Sequence, residues 1–177
     1  MSTQALWLAA AGAVLGVTVW TDLRSQRIPN VAVAAAALAG MGLSILPGGV
    51  GAGSALLGLA VAFVLFLPAW LLGVGGAGDV KLAAALGTFT GFPGVLGFAL
   101  FTFAAGGLLA LLWAARGGAL RSMFRNLHVG LLASFARLAA HDVPRRGDMP
   151  VSPSRMPYAV AIAIGMAAYV LLVKGLA

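Results

Sequence analysis

The sequence predicts an all-α protein that crosses a membrane several times, on three observations. Of its 177 residues 62% are hydrophobic and only 8% are charged, whereas a soluble domain carries about a quarter charged residues. The mean hydropathy is +1.04, and a domain of this size exposes too much surface to hide that many apolar side chains from water. The apolar residues also fall in continuous runs without the two-residue alternation of a barrel strand, which leaves helices as the expected spanning form.

A spanning helix needs about 20 apolar residues, within a range of about 17–25. Six such runs are expected, at about 5–21, 30–46, 53–73, 79–92, 94–115 and 156–174. The first has no basic stretch ahead of it in "MSTQALWLAA", so it reads as a retained span and not a cleaved signal. The second starts after Pro29, with Asn30 as its cap. The fourth is short, and Gly91 with Pro93 marks a tight turn between it and the fifth. Pro157 precedes the last run, a position suited to helix initiation.

Charge sorts the connections. Arg24 and Arg27 follow the first run, Lys81 opens the fourth, and seven arginines (116, 121, 125, 137, 145, 146 and 155) lie between the fifth and sixth. The connections "PGGVGAG" and "TGFPG" hold no basic residue. Ten of the eleven Lys and Arg therefore fall on one face. The positive-inside tendency makes that face cytoplasmic and both termini external, with Lys174 snorkelling to the outer interface. The net charge of +7 is thereby accounted for by topology and by attraction to anionic lipid headgroups. No aromatic-basic motif supports a nucleic-acid partner.

Residues 117–140 tempt a seventh span, but Arg121, Arg125 and Arg137 would each cost about 2.5–3.5 kcal/mol at a bilayer centre. Leu120, Phe124, Leu127, Leu131, Phe135 and Leu138 share one helical face, with Arg121, Arg125 and His128 along its edge. The expectation is a helix lying in the cytoplasmic interface, within a cytoplasmic segment 116–155 of a single membrane-embedded domain covering 1–177.

The four acids are all aspartates. Asp142 and Asp148 sit in a polar loop where solvation explains them. Asp22 closes the first run and Asp79 opens the fourth, so the topology delivers both to the cytoplasmic face at similar depth. Taken singly, Asp22 reads as well as an interfacial cap and Asp79 as an N-cap favoured by the helix dipole. As a pair they suit chemistry, because ionisable groups bordering spans are expensive and usually functional. Two close carboxylates share a proton. The charged one can take a proton from water, and the protonated one can bond to a substrate carbonyl and later protonate the leaving amine. Gly76 and Gly78 leave Asp79 uncrowded and let backbone approach an extended substrate, though a plain interhelical turn explains them too. This chemistry needs no cofactor. The chain has no cysteine, and His128 and His141 lack the spacing of a metal site, so none is expected.

"GAGDVKLAAALG", from Gly76, resembles the GxGD motif of the prepilin (type IV leader) peptidases, which are membrane aspartic proteases. "DLRSQRIPN", with Asp22, Ile28, Pro29 and Asn30, resembles the other aspartate motif of that family. "RMPYAVAIAIG", with Pro157 and Tyr158, resembles its final span. The resemblance covers nearly the whole chain and implies Asp22 and Asp79 as the catalytic pair. It implies cleavage of leaders from type IV prepilins and pseudopilins at the cytoplasmic face of the inner membrane. Larger members add a cysteine-bearing segment and methylate the new N-terminus. Here the first span starts at once and cysteine is absent, so the short, peptidase-only Flp (tight adherence) branch is expected. Thr21 ahead of Asp22 argues against the presenilin and signal-peptide-peptidase relatives, which usually have tyrosine there.

Lys81 lies two residues beyond Asp79, off its helical face, and is read mainly as a topological anchor. Trp20 and Tyr158 are read first as interfacial aromatics. Two other functions fit the same acids less well: a proton-coupled transporter, which expects a repeat between halves that is not visible, and a scaffold packed through glycine, which leaves the motifs unexplained.

Overall fold

The computed structural model describes residues 3–71, 75–116 and 158–174. These form α1 (Thr3–Ser25), α2 (Asn30–Ser44), α3 (Ala52–Leu71), α4 (Ala77–Thr90), α5 (Gly94–Arg116) and α6 (Tyr158–Tyr169), the last continued by a π-helical turn, Val170–Lys174. No strand occurs among the described residues. The expected interfacial helix over 117–140, the rest of the segment to 155, and Pro157 lie outside them.

Three helices, α1, α3 and α5, are long and apolar enough to cross a membrane; α2 and α6 are shorter apolar helices. Their outward faces carry large apolar side chains such as Leu38, Val64, Leu100 and Leu171, which is the surface expected where lipid is the solvent. The fourth helix differs. At 14 residues it is about 21 Å long, against a hydrocarbon core of about 30 Å. Its residues from Val80 to Thr90 are buried apart from Lys81. A helix enclosed by its neighbours need not match the bilayer, which is why the fourth run is both short and the centre of the core.

The enclosure depends on absent side chains. Gly58 of α3 and Gly87 of α4 meet backbone to backbone, and a Cβ on either would overlap the other's carbonyl oxygen. Gly40 of α2 makes room for Thr88 and Phe89 of α4, and Gly165 of α6 for Thr102 of α5. Close approach through small residues is how helices associate in lipid, where apolar burial drives little. Phe66, Phe89, Phe98, Leu82, Leu86 and Ile162 fill the interior between these crossings. Trp7 stands edge-on to Phe89, and its indole N–H donates to the Phe89 carbonyl at 2.8 Å.

One end of the bundle is tied by connections. The Thr3 hydroxyl donates to the Pro47 carbonyl at 2.8 Å. Ser54 exchanges hydrogen bonds with the Phe92 backbone, accepting from its N–H at 3.0 Å and donating to its carbonyl at 2.9 Å. Gly91, the turn residue expected between the fourth and fifth runs, has φ 61°, and a Cβ there would also strike Ser54 and Val50.

At the other end α1 runs four residues past its expected stop at 21. Asp22 therefore lies in the last turn and does not close the helix. Helix termination falls to Gln26, whose N–H donates to the Asp22 carbonyl at 2.9 Å and whose φ is 51°. Left-handed backbone costs a non-glycine residue about 1 kcal/mol. Gln26→Gly should accordingly raise the thermal unfolding midpoint in detergent, by the equivalent of about 1 kcal/mol. An unchanged or lower midpoint would contradict that account.

Candidate active site

Both aspartates are enclosed: Asp22 is 7% exposed and Asp79 9%, too little for solvated caps. Asp22 is carried by the end of α1, where Thr18, Thr21 and Ser25 turn their hydroxyls back onto carbonyls of the preceding turn. With Asp22 they make the C-terminal end of an otherwise apolar helix polar. The Ala159 N–H donates to Asp22 Oδ2 at 3.1 Å. Ala159 is the second residue of α6, so the carboxylate answers one of the N–H groups that a helix start leaves without an intrahelical partner, at the positive end of the α6 dipole.

Asp79 sits in the first turn of α4. The N-cap itself is Gly76, whose N–H donates to Asp79 Oδ2 at 2.7 Å; the acid is thus the third helical residue and reaches back, the return half of a capping box. A Cβ on Gly76 would lie 3.2 Å from that oxygen, so this glycine makes room for the carboxylate. The helices that carry the two acids, 57 residues apart in the chain, pack against each other and against α6.

The two motifs also interlock. Ile28 packs on Gly78, where a Cβ would come within 3.1 Å of the isoleucine Cβ. The exposed Lys81 ammonium donates to Asn30 Oδ1 at 3.3 Å. Asn30 is the first residue of α2, not its cap: Pro29 holds that position, and no side chain caps the helix. The side chain of Asn30 can receive Lys81 because Pro29, with φ −63°, already sets the helix entry.

Tyr158, expected as an interfacial aromatic, points inward. It is half-buried, and its ring abuts Gly106 of α5. Trp20 by contrast is exposed, with the Arg24 guanidinium 4.2 Å above its ring. No cluster of metal-ligating side chains occurs among the described residues. Two participants carry no signal of their own in the sequence. Ala159 acts through its backbone, and Gly106 is one of 25 glycines.

The profile of the type IV leader peptidase family matches residues 9–111, a stretch that contains both aspartates and both interlocked motifs. No curated protein and no solved structure matches the chain.

Proposed function

Because the chain belongs to the type IV leader peptidase family, we propose that it is an aspartic endopeptidase that removes the leader of type IV prepilins, with Asp22 and Asp79 as its catalytic pair. The observation that supports this reading is that the only two acids among the described residues are both buried, each carboxyl held by a backbone N–H, on helices that pack together. A single proton is shared between them. The ionised carboxylate takes a proton from water, and the resulting hydroxide attacks the scissile carbonyl. The protonated partner hydrogen-bonds to the carbonyl oxygen as charge develops on it. Collapse of the tetrahedral intermediate breaks the C–N bond, and a carboxyl proton passes to the leaving amine.

In this reading the chain crosses the inner membrane six times with both termini external, as one domain. Arg24, Arg27 and Lys81 mark the cytoplasmic level at which the site opens. A prepilin leader with basic residues would stay at that face while the apolar helix behind it lies in lipid, bringing the junction to the depth of the carboxyls. Ile28 on Gly78 and Lys81 on Asn30 hold the two motif segments together around the pair, and Pro29 shapes the entry of α2 beside it. Assignment to the Flp branch, without methyltransferase activity, belongs to the same proposal. Family membership favours neither a transporter nor a scaffold.

The test is co-expression with a prepilin of the Flp type, following loss of the leader by gel shift and locating the new N-terminus by mass spectrometry. Persistent precursor with the wild type, across several prepilins, would overturn the reading. A smaller effect is expected at the exposed Lys81–Asn30 link, since exposed polar contacts contribute at most about 1 kcal/mol. Lys81→Met should slow cleavage less than about fivefold in a time course, and a complete block would assign Lys81 a larger part.

A further inference from the structure

Tyr158 joins two parts of the site. Its own peptide link to Ala159 supplies the N–H on Asp22, and its ring rests on α5 at Gly106. A methyl group added at Gly106 would lie 2.9 Å from the tyrosine Oη, 3.1 Å from Cε2 and 3.2 Å from Cζ. All three are closer than van der Waals contact, and all belong to the one side chain. Gly107, one position on, faces open space: nothing lies within 4 Å of a Cβ placed there.

We propose that Gly106 is a positioning residue for the cleavage reaction. Its missing side chain is the seat that holds the Tyr158 ring, and through the ring it keeps the start of α6 in register with Asp22 and Asp79. The inference rests on the proposed peptidase reading. A methyl at Gly106 pushes the ring a few tenths of an ångström off its seat. The ring lies at the head of α6 against α5, so its displacement shifts the peptide that bonds Asp22. Geometry at a reacting centre is unforgiving: misplacement by 1 Å can slow a reaction about 10²-fold.

The experiment compares Gly106→Ala, Gly107→Ala and Tyr158→Phe, and the Gly106→Ala/Tyr158→Phe double variant, in full-length protein in membranes with a prepilin substrate. Expected are a fall in kcat of about tenfold for Gly106→Ala with KM within about twofold, and no change for Gly107→Ala. In the Tyr158→Phe background, where the closest atom of the seat is gone, the further loss from Gly106→Ala should shrink to about threefold or less. Equal effects of the two alanines, an unchanged kcat for Gly106→Ala, or the same loss in both backgrounds would overturn the proposal. If Tyr158→Phe alone abolishes cleavage, the contrast between Gly106→Ala and Gly107→Ala still decides. Wild-type protein that cleaves no prepilin would instead sink the peptidase reading, an outcome distinct from all of these.

Discussion

Asp79→Asn is expected to slow prepilin cleavage by about 10³-fold or more, and Asp22→Asn by a similar factor. Asparagine keeps the planar shape and can still accept from the Gly76 N–H, or at position 22 from the Ala159 N–H, so each variant should fold. What it loses, in the proposed mechanism, is the shared proton. With one carboxyl gone, no pair remains that can deprotonate water and protonate the carbonyl in the same encounter, and 10³-fold in rate is about 4 kcal/mol of barrier. In the proposed mechanism the two groups act as a unit, so the double variant should be little slower than either single one. A time course of leader removal, normalised to the amount of protein in the membrane, gives the answer. Retention of more than a tenth of wild-type activity by either single variant would defeat the two-carboxylate mechanism.

The second large effect is on the fold. Gly87→Ala should destabilise the protein by about 3 kcal/mol, whereas glycine to alanine inside an ordinary helix gains about 1 kcal/mol. The sign reverses because the new methyl would overlap the Gly58 carbonyl oxygen, lie 2.7 Å from the Gly58 carbonyl carbon and crowd Ala62 Cβ at 3.1 Å. Backbone cannot rotate away as a side chain can, so α3 and α4 must separate. The aspartate of the first turn of α4 then moves with its helix. Gly53→Ala on α3, where a Cβ meets nothing within 4 Å, is the matched control and should be neutral or slightly stabilising. Thermal unfolding of the purified variants in detergent reads both, and equal midpoints for the two would refute close backbone contact at the α3–α4 crossing.

Several features of the site are legible in the chain itself. Asp22 and Asp79 stand out because acids are so scarce here and both border apolar runs. The lack of side chains at Gly76 and Gly78 signals close quarters around Asp79, and the structure gives each a particular neighbour, the Asp79 carboxylate for Gly76 and Ile28 for Gly78. The end of the first helix is not legible in this way. An apolar pattern marks where a helix leaves lipid, whereas α1 persists to Ser25 through polar residues that bond back to its own carbonyls. The cap of α2 falls one residue earlier than the sequence suggests. Asparagine is a good cap in isolation, but Lys81, 51 residues on, claims the side chain of Asn30. Tyr158 turns inward although its place at a helix start suits an interfacial aromatic, because composition carries no information on which way a ring there will face.

The amino-acid sequence by itself determined that lipid is the solvent, that helices are the building elements, where most of them begin and end, and which two acids invite scrutiny. Those properties follow from local composition and periodicity, which act over a few turns of chain. Only the tertiary structure decided that α4 is enclosed, that the Ala159 N–H reaches Asp22 across 137 residues, and that Gly106 seats the ring of Tyr158. Such pairings depend on how helix surfaces fit, and in lipid that fit is set by backbone approach at a few glycines among many that look alike in the sequence.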